Sequence, residues 1–276
     1  MKSVMEYEIK PTKRTRIDLP ELWTFRELFY FFTWRDVKIK YKQTVLGALW
    51  AILQPFLLMV VFTLFFSKAL KIEHGVLPYP VFVYSGLMLW TIFSTGVSNA
   101  GNSMVSNANI IKKVYFPRLI IPISSIISTL VDFAMTFILF IGLLIYYRSP
   151  VSFGQLCIAL PLSVLITLMA TIGLGSFLAA LNVRYRDFRY VIPFMIQVLL
   201  FLTPVIYPVT FIPPGILQDL LQLNPLSGVI EAFRAALTGS PFNWILIGKS
   251  IGVSLLLFFI GLAYFKKTEY NFADLA

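Results

Sequence analysis

The sequence predicts an all-α membrane protein with six transmembrane helices, an N-terminal amphipathic interface helix and re-entrant outer helices before the last span. Of its 276 residues, 58% are hydrophobic and 13% are charged, whereas about 25% are charged in ordinary proteins. Six apolar runs also approach or exceed the ~20 residues that a helix needs to cross a bilayer. We expect a cytoplasmic segment containing the interface helix over residues 1–45, a transmembrane domain over 46–266 and a cytoplasmic tail over 267–276.

The first predicted element is an interface helix within Leu19–Lys42. Its apolar residues at spacings of three and four are Leu22, Phe25, Phe29 and Phe32. They share one helical face, which we expect to lie down on the lipid. Arg35, Lys38 and Lys42 share a face further along, although residues 38–42 also alternate with period two, so the last turn is ambiguous.

The apolar runs are predicted to be helices rather than barrel strands, because they are long and do not alternate. They are Leu46–Leu70, Val81–Ala100, Leu119–Tyr147, Gln155–Leu181, Tyr190–Tyr207 and Trp244–Phe265. With six spans, 18 Lys and Arg lie on the side of both termini and five on the opposite side. Since basic loops stay in the cytoplasm, both termini are predicted to be cytoplasmic.

The cytoplasmic loop Ser103–Arg118 is predicted to contain a short helix. Asn107 or Asn109 is suited to cap it, and Pro117 is suited to end it. From composition alone, the loop is either a docking surface for a soluble partner or an ordered connector.

The outer segment Val209–Asn243 is too long and too apolar for a free loop. We predict two short helices, Ile216–Leu223 and Ser227–Thr238, that dip partly into the membrane and cap the outer end of a pathway. Glu231 and Arg234 are three residues apart on the second helix, which is the spacing of a side-chain pair on one face.

No catalytic or metal site is indicated. The nucleotide-binding pattern G-x-x-x-x-G-K-[ST] is missing, and the acidic residues are too scattered for a membrane-embedded glycan-modifying enzyme. The single histidine, His74, has Glu73 beside it, and two groups make a weak metal site. The net charge of +10 is concentrated in short segments beside the spans, which favours membrane orientation over nucleic-acid binding. Cys157 is the only cysteine, so an intrachain disulfide is excluded.

Asp132 lies within the third predicted span, where ionisable groups are costly and are by default functional candidates. Several interpretations stay open: Asp132 faces a hydrated cavity, pairs with a cation, joins the proton path of an ion-coupled carrier, or makes a structural hydrogen bond to a hydroxyl on a neighbouring helix. The hydroxyl residues nearby in sequence are Ser124, Ser125, Ser128 and Thr129.

Small residues at four-residue spacing predict close helix contacts and allow homodimerisation. Gly248 and Gly252 form such a pair in the sixth predicted span. Gly175 and Ala179 form another in the fourth.

Three stretches together resemble a known family. They are RDVKIKYKQTVLGALWAILQP at 35–55, IIKKVYFPRLIIP at 110–122 and NVRYRDFRYVIPFMIQVLLFLTPVIYP at 182–208. With the order of the spans, they make residues 20–266 similar to the ABC-2 type permeases, and most similar to the branch that exports O-antigen, capsule or teichoic acid. The resemblance implies a bacterial inner-membrane transport subunit that acts as a homodimer with two copies of a separate ABC ATPase. ATP and Mg would bind to that partner, and no cofactor to this chain.

The resemblance also implies roles for two groups of residues. The coupling helix that docks on the ATPase would comprise Asn107, Asn109, Ile110, Ile111, Lys112, Lys113, Val114, Tyr115 and Phe116. Contacts to the pyrophosphate of an undecaprenyl-linked glycan would come from Arg35, Lys38, Lys40, Lys42, Arg184, Arg186 and Arg189. Lysine and arginine side chains bind phosphate through charge-assisted hydrogen bonds. Membrane orientation and contacts with anionic lipids explain the same cations without a substrate.

Overall fold

The computed structural model describes residues 19–42, 47, 49–69, 76–269 and 272, and within these ranges the regular structure is entirely helical. The predicted all-α class is confirmed. The described α-helices are, in order, α1 Leu19–Thr24, α2 Arg26–Tyr41, α3 Leu49–Phe62, α4 Tyr79–Ser106, α5 Ala108–Ile111, α6 Ile120–Ile127, α7 Thr129–Tyr146, α8 Phe153–Arg184, α9 Phe188–Leu202, α10 Ile216–Gln222, α11 Ser227–Thr238 and α12 Trp244–Thr268. A π-helical stretch, Thr63–Ala69, continues α3, and a 3-10 turn, Val209–Phe211, precedes α10.

Five described helices are long and apolar enough to cross a membrane. They are Leu49–Phe66, Tyr79–Ser106, Ile120–Tyr146, Phe153–Arg184 and Trp244–Thr268, and they match five of the six predicted spans. The third combines α6 and α7, which meet at Ser128. The Ser128 hydroxyl donates to the Ser125 carbonyl at 2.7 Å, and the Thr129 hydroxyl donates to the Ile126 carbonyl at 2.7 Å. Such local side-chain bonds bend helices, which accounts for the break.

The remaining predicted span corresponds to α9, which has only 15 residues and is about 22 Å long, less than the ~30 Å hydrocarbon core. The chain nevertheless follows α4 along its length. Ile192 packs against Gly101 near one end of α4, and the Tyr79 hydroxyl, at the other end, donates to the Ile206 carbonyl at 2.9 Å. Residues 203–207 therefore extend the path of α9. This path supports a sixth crossing, and the count of six remains a prediction.

The main core forms around α4, which packs against α3, α6, α7, α8, α9 and α11. A Cβ atom at Gly261 of α12 would stand 1.9 Å from the carbonyl oxygen of Gly173, so α8 and α12 cross with their backbones in contact. Gly175 packs closely against α4, as its spacing predicted. No described atom lies within 4 Å of a Cβ placed at Gly248 or Gly252, so the close contact predicted for that pair is not made within the described chain.

A second core, here called the basal cluster, joins α2, α6 and the ends of α4, α8 and α12. Its buried members are Phe32, Met104, Ile111, Phe116, Leu119, Ile120, Ile121, Ala179, Ala180, Val183, Leu262, Phe265 and Phe272. The backbone N–H of Arg118 donates to the Glu269 carboxylate at 3.0 Å. The end of α12 is thereby fixed beside the loop that follows α5.

The orientation of the interface helix differs from the prediction. The apolar face predicted to lie on lipid instead packs against the basal cluster, and it carries Leu22, Phe25, Phe29 and Phe32. The aromatic residues that are exposed on α1 and α2 are Trp23, Tyr30, Phe31 and Trp34. The prediction failed because this helix has apolar residues on two faces, and spacing alone does not say which face the protein covers.

The outer segment has the two helices that the prolines and periodicity predicted. α10 ends one residue earlier than predicted, and α11 has the predicted bounds. α11 ends at Thr238, and the next residue, Gly239, has a φ of 72°, a left-handed conformation that glycine adopts without strain.

Arg234 of α11 is buried and makes a different contact from the one predicted. Its guanidinium donates to the carbonyls of Phe82, Pro204 and Val205, at 3.0, 2.8 and 2.8 Å. The predicted pair with Glu231 is not formed, because the side chain instead reaches the backbone that follows α9. Arg234 therefore ties α11 to the start of α4 and to the extended residues beyond α9.

Candidate functional site: a polar cavity and a coupling segment

A cavity of about 1230 Å³ lies between α2, α3, α4 and the α6–α7 pair. The last turns of α2 and the first turns of α3 form one side. One face of α4 forms the opposite side. Residues at the junction of α6 and α7, around Ser128, form a third side. The cavity continues toward α5, where Asn109 and Ile110 line it.

The α4 wall is a stripe of small polar side chains. Its members are Thr91, Ser94, Thr95, Ser98, Asn99, Asn102, Ser103 and Ser106. Some donate to their own helix: the Thr91 hydroxyl bonds the Leu87 carbonyl at 2.8 Å, and the Asn102 amide bonds the Ser98 carbonyl at 2.9 Å. Their side-chain oxygens remain acceptors. We did not predict this stripe, although its spacing of three and four within an apolar helix was a readable signal.

Two indole rings and an amide complete the cavity wall. Trp50 and Gln54 line it from α3, and Trp90 lines it from α4. Trp50 is more than half exposed, whereas Trp90 is nearly covered by its neighbours. The cavity therefore combines aromatic surface with uncharged hydrogen-bonding groups.

Asp132 lies in this cavity and is held by α2. Its side chain is 5% exposed, and it forms an ion pair with Lys40 through one carboxylate oxygen. The Tyr41 hydroxyl donates to the other oxygen. Burial, and next the hydrogen bond to Asp132, raise the pKa of Tyr41, so the phenol remains a donor. Of the alternatives open from the sequence, Asp132 therefore faces a cavity and pairs with a cation, and its partners are Lys40 and Tyr41 of the interface helix rather than the nearby hydroxyl residues.

A second carboxylate, Asp36 of α2, has a similar arrangement. It accepts two hydrogen bonds from Arg35 at one oxygen, at 2.8 and 3.2 Å, and one from the Ser125 hydroxyl at the other, at 2.9 Å. The Arg35 guanidinium also lies over the Phe32 ring, 4.7 Å from its centre. These contacts and the Lys40 pair fix α2 on α6 and α7.

The predicted phosphate-binding cations do not form one group. Arg35 and Lys40 line the cavity, whereas Lys38 of α2 and Lys42, which follows α2, are exposed and do not line it. The other three, Arg184, Arg186 and Arg189, are exposed at the turn between α8 and α9. Among the side chains that the structure describes, no set of three or more His, Cys, Asp or Glu is placed to hold a metal ion.

The predicted coupling helix is shorter than expected. Helical structure covers only Ala108–Ile111, and turns follow to Phe116. Asn107 occupies the N-cap position, but its side-chain amide donates to the Ser103 carbonyl instead of capping the helix. Pro117 does not end the helix, which stops at Ile111.

Residues 107–116, here called the coupling segment, differ in exposure along their length. Ile111 and Phe116 are buried in the basal cluster, and the Phe116 ring lies 5.7 Å from that of Phe32. The residues between them are exposed: Lys112, Lys113, Val114 and Tyr115. Tyr115 is 81% exposed. The segment is therefore a projecting loop with two buried anchors.

Comparison with known proteins gives the family. Residues 27–238 match the model of the ABC-2 type transporter family, which covers most of the chain. The chain belongs to this family. As an ABC-2 type transporter chain, it is a transport component with several membrane-spanning helices.

Relatives of this ABC-2 type chain carry informative names. It is 28% identical, over 90% of its length and 95% of the relative, to the O-antigen export system permease protein RfbA of Klebsiella pneumoniae. It is 30% identical to the RfbA of Myxococcus xanthus, over 78% of this chain and 82% of the relative. It is 25% identical to the polysialic acid transport protein KpsM of Escherichia coli, over 85% and 91%.

Proposed function

We propose that this chain is the permease subunit of an ATP-driven exporter that moves a lipid-linked polysaccharide of O-antigen type out of the bacterial cytoplasm. It would lie in the inner membrane with both termini cytoplasmic and act as a homodimer with two ABC ATPase subunits. Export of capsule or teichoic acid by the same mechanism is the closest alternative. The family membership and the names of the relatives support a polysaccharide substrate.

The observation that carries the proposal is the cavity beside α4. Hydroxyl and amide side chains pair with sugar hydroxyls, and the exposed indole ring of Trp50 offers an apolar face to sugar rings. The polar stripe runs along α4 from Thr91 to Ser106, about 22 Å at 1.5 Å per residue. This length suits an extended chain better than a compact solute.

The projecting coupling segment supports the docking of an ATPase. Val114 and Tyr115 offer an exposed apolar tip between two lysines, while Phe116 anchors the loop to α2. A partner that moves this tip would act on Phe32 and hence on the helix that carries Lys40 into the cavity. ATP-driven movement would reach the cavity by this route.

The exposed arginines favour an interfacial contact for the pyrophosphate. Arg184, Arg186 and Arg189 are accessible at the turn after α8. Arg35 and Lys40 would first have to separate from their carboxylates. We therefore propose that the lipid-linked end meets the exposed arginines before any cavity cation.

Co-purification tests the proposed function. The full chain is co-expressed with a candidate ABC ATPase from the same organism, and the complex is isolated through a tag on the ATPase. We expect Val114→Asp with Tyr115→Asp to abolish co-purification and export, because charge at the apolar tip opposes burial. Tyr185→Asp, at an exposed tyrosine of the α8–α9 turn, is the matched control and should retain the complex.

Two results would contradict the proposal. The first is transport by the purified chain alone, driven by an ion gradient. The second is normal export by the Val114→Asp and Tyr115→Asp variant.

A further inference from the structure

We infer that the cavity is selective for an electrically neutral glycan, and that Asp36 and Asp132 set this selectivity by neutralising the only two cations in its described lining. The inference rests on the proposed function and narrows its substrate class. It concerns the charge of the polymer segment in the cavity, and it is separate from the charge of the lipid-linked end.

The described lining of the cavity contains four charged side chains, which form two ion pairs. Lys40 is paired with Asp132, and Arg35 with Asp36. The formal charges of these four groups sum to zero. A chain with a net charge of +10 therefore places no excess positive charge in the described lining of this cavity.

All four carboxylate oxygens are engaged. At Asp132, one oxygen accepts from Lys40 and the other from Tyr41. At Asp36, one accepts from Arg35 and the other from Ser125. The carboxylates are thus fixed beside their cations, so a passing polyanion meets a fixed negative charge next to each positive one.

The rest of the described lining is uncharged. It consists of hydroxyl, amide, aromatic and aliphatic groups. A polyanionic glycan in this cavity would lose hydration without gaining an unpaired cation, and such transfer is costly. A neutral glycan exchanges its hydroxyl hydrogen bonds with water for bonds with the α4 stripe, at little electrostatic cost.

Removing the two carboxylates is expected to reverse the preference. Asp36→Asn with Asp132→Asn preserves side-chain shape and leaves Arg35 and Lys40 without countercharge. Clefts lined by one sign of charge concentrate ions of the opposite sign about tenfold or more. The variant should therefore gain affinity for anionic glycans, and the gain should fall with added salt.

The test measures binding to the full chain in nanodiscs of uncharged lipid. The probes are a fluorescent neutral oligomannoside and a fluorescent oligosialic acid of equal length. We expect the wild-type chain to bind the neutral probe about tenfold more tightly, with little dependence on salt. In the double variant, the affinity for oligosialic acid should rise about tenfold and become salt-dependent, following the magnitude expected for a charged cleft.

Two control variants separate charge from shape. Lys40→Met with Asp132→Asn removes both charges of one pair and should keep the preference for the neutral probe. Asp219→Asn removes an exposed carboxylate outside the cavity lining and should change neither affinity.

Each failure has a distinct meaning. Equal or tighter binding of oligosialic acid by the wild-type chain would overturn the inference and leave a glycan cavity in place; this measurement needs no variant. An unchanged preference in a folded double variant would overturn the role of the two carboxylates. Binding of neither probe would overturn the glycan cavity of the proposed function, and the inference with it.

Discussion

At the scale of single residues, Arg234 explains how an extended segment is tolerated after α9. Backbone carbonyls away from water need a donor. The Arg234 guanidinium supplies it to Pro204 and Val205, and also to Phe82 at the start of α4. The ring of Phe82 also packs beneath the guanidinium, 3.5 Å from its centre. One side chain thus connects three separate pieces of backbone.

Replacing Arg234 is therefore expected to destabilise the protein. Arg234→Met keeps much of the side-chain volume but leaves at least two carbonyls without a donor, at about 1–3 kcal/mol each. Thermal unfolding in detergent should show a clearly lower melting temperature. Arg186→Met removes an exposed arginine and should leave the melting temperature unchanged. Equal melting temperatures for the two variants would contradict this role for Arg234.

The paired state of Asp132 makes a prediction about energy coupling. A proton-carrying carboxylate must gain and lose its charge, whereas this one is fixed beside Lys40 and accepts from Tyr41. We expect Asp132→Asn to retain export of a neutral polysaccharide, measured as surface polymer in cells that lack the native permease. Collapse of the proton gradient at constant ATP should not stop export by the wild type. If both treatments abolish export, the ion-coupled carrier interpretation gains support.

The residue-scale predictions failed where partners are distant in the sequence. Asp132 was singled out as an intramembrane carboxylate that could pair with a cation, but the sequence did not identify that cation as Lys40, which lies 92 residues away. Arg234 was assigned to Glu231 by helical spacing, but it bonds Phe82, 152 residues away. Helical spacing identifies which charged residues need a partner, whereas the packing of distant helices determines which partner each one has.

At the scale of helices, the crossing of α8 and α12 depends on two glycines. A Cβ at Gly261 would overlap the carbonyl oxygen of Gly173, so Gly261→Ala must push the helices apart. We expect a loss of about 1–3 kcal/mol, as for other overpacked cores. Gly252→Ala on the same helix has open space and should be neutral or stabilising, by up to about 1 kcal/mol. The melting temperatures of the two variants are measured in one detergent, and only that of Gly261→Ala should fall. An unchanged melting temperature for Gly261→Ala would contradict the close crossing.

Helix positions were largely predictable, because long apolar runs and prolines mark them. The bounds of α11 and the start of α12 agree with the sequence prediction to the residue. Helix faces were less predictable. The two apolar faces of α2 have similar composition, and only the presence of the basal cluster decides that Phe32 is inside and Trp34 outside.

At the scale of the whole molecule, several chain segments meet at one end. Phe116 packs on Phe32, and Arg118 bonds Glu269 beyond α12. The interface helix, the coupling segment and the end of the last span are therefore on the same side. The predicted count of six crossings requires the same arrangement, since an even number returns the chain to its starting side.

Cysteine labelling tests this topology. In a Cys157→Ser background, Lys113→Cys and Lys267→Cys are expected to react with a membrane-impermeant maleimide only after the cells are permeabilised. Ser240→Cys, in the segment before α12, should react in intact cells. Labelling of Lys267→Cys in intact cells, with Lys113→Cys protected, would show an odd number of crossings and exclude α9 as a span.

The sequence predicted one of the two candidate functional regions, the coupling segment, but not the lining of the cavity. The coupling segment was assigned only through resemblance to a family, and its role remains a prediction; its exposed tip and buried anchors became visible only in the structure. The lining of the cavity was not predicted, because α2, α3, α4, α6 and α7 form it together. A wall built from five helices has no signature in any one of them beyond a polar stripe.

The basal cluster has a consequence for biosynthesis. It contains Phe32 near one end of the described chain and Phe272 near the other, and the Phe272 ring contacts that of Phe265 at 5.2 Å. The cluster therefore cannot close while the ribosome is still making α12. Until then, the coupling segment lacks its finished support, so an ATPase that recognises the supported loop would assemble only with full-length chains. Late closure of this core would thus act as quality control on assembly.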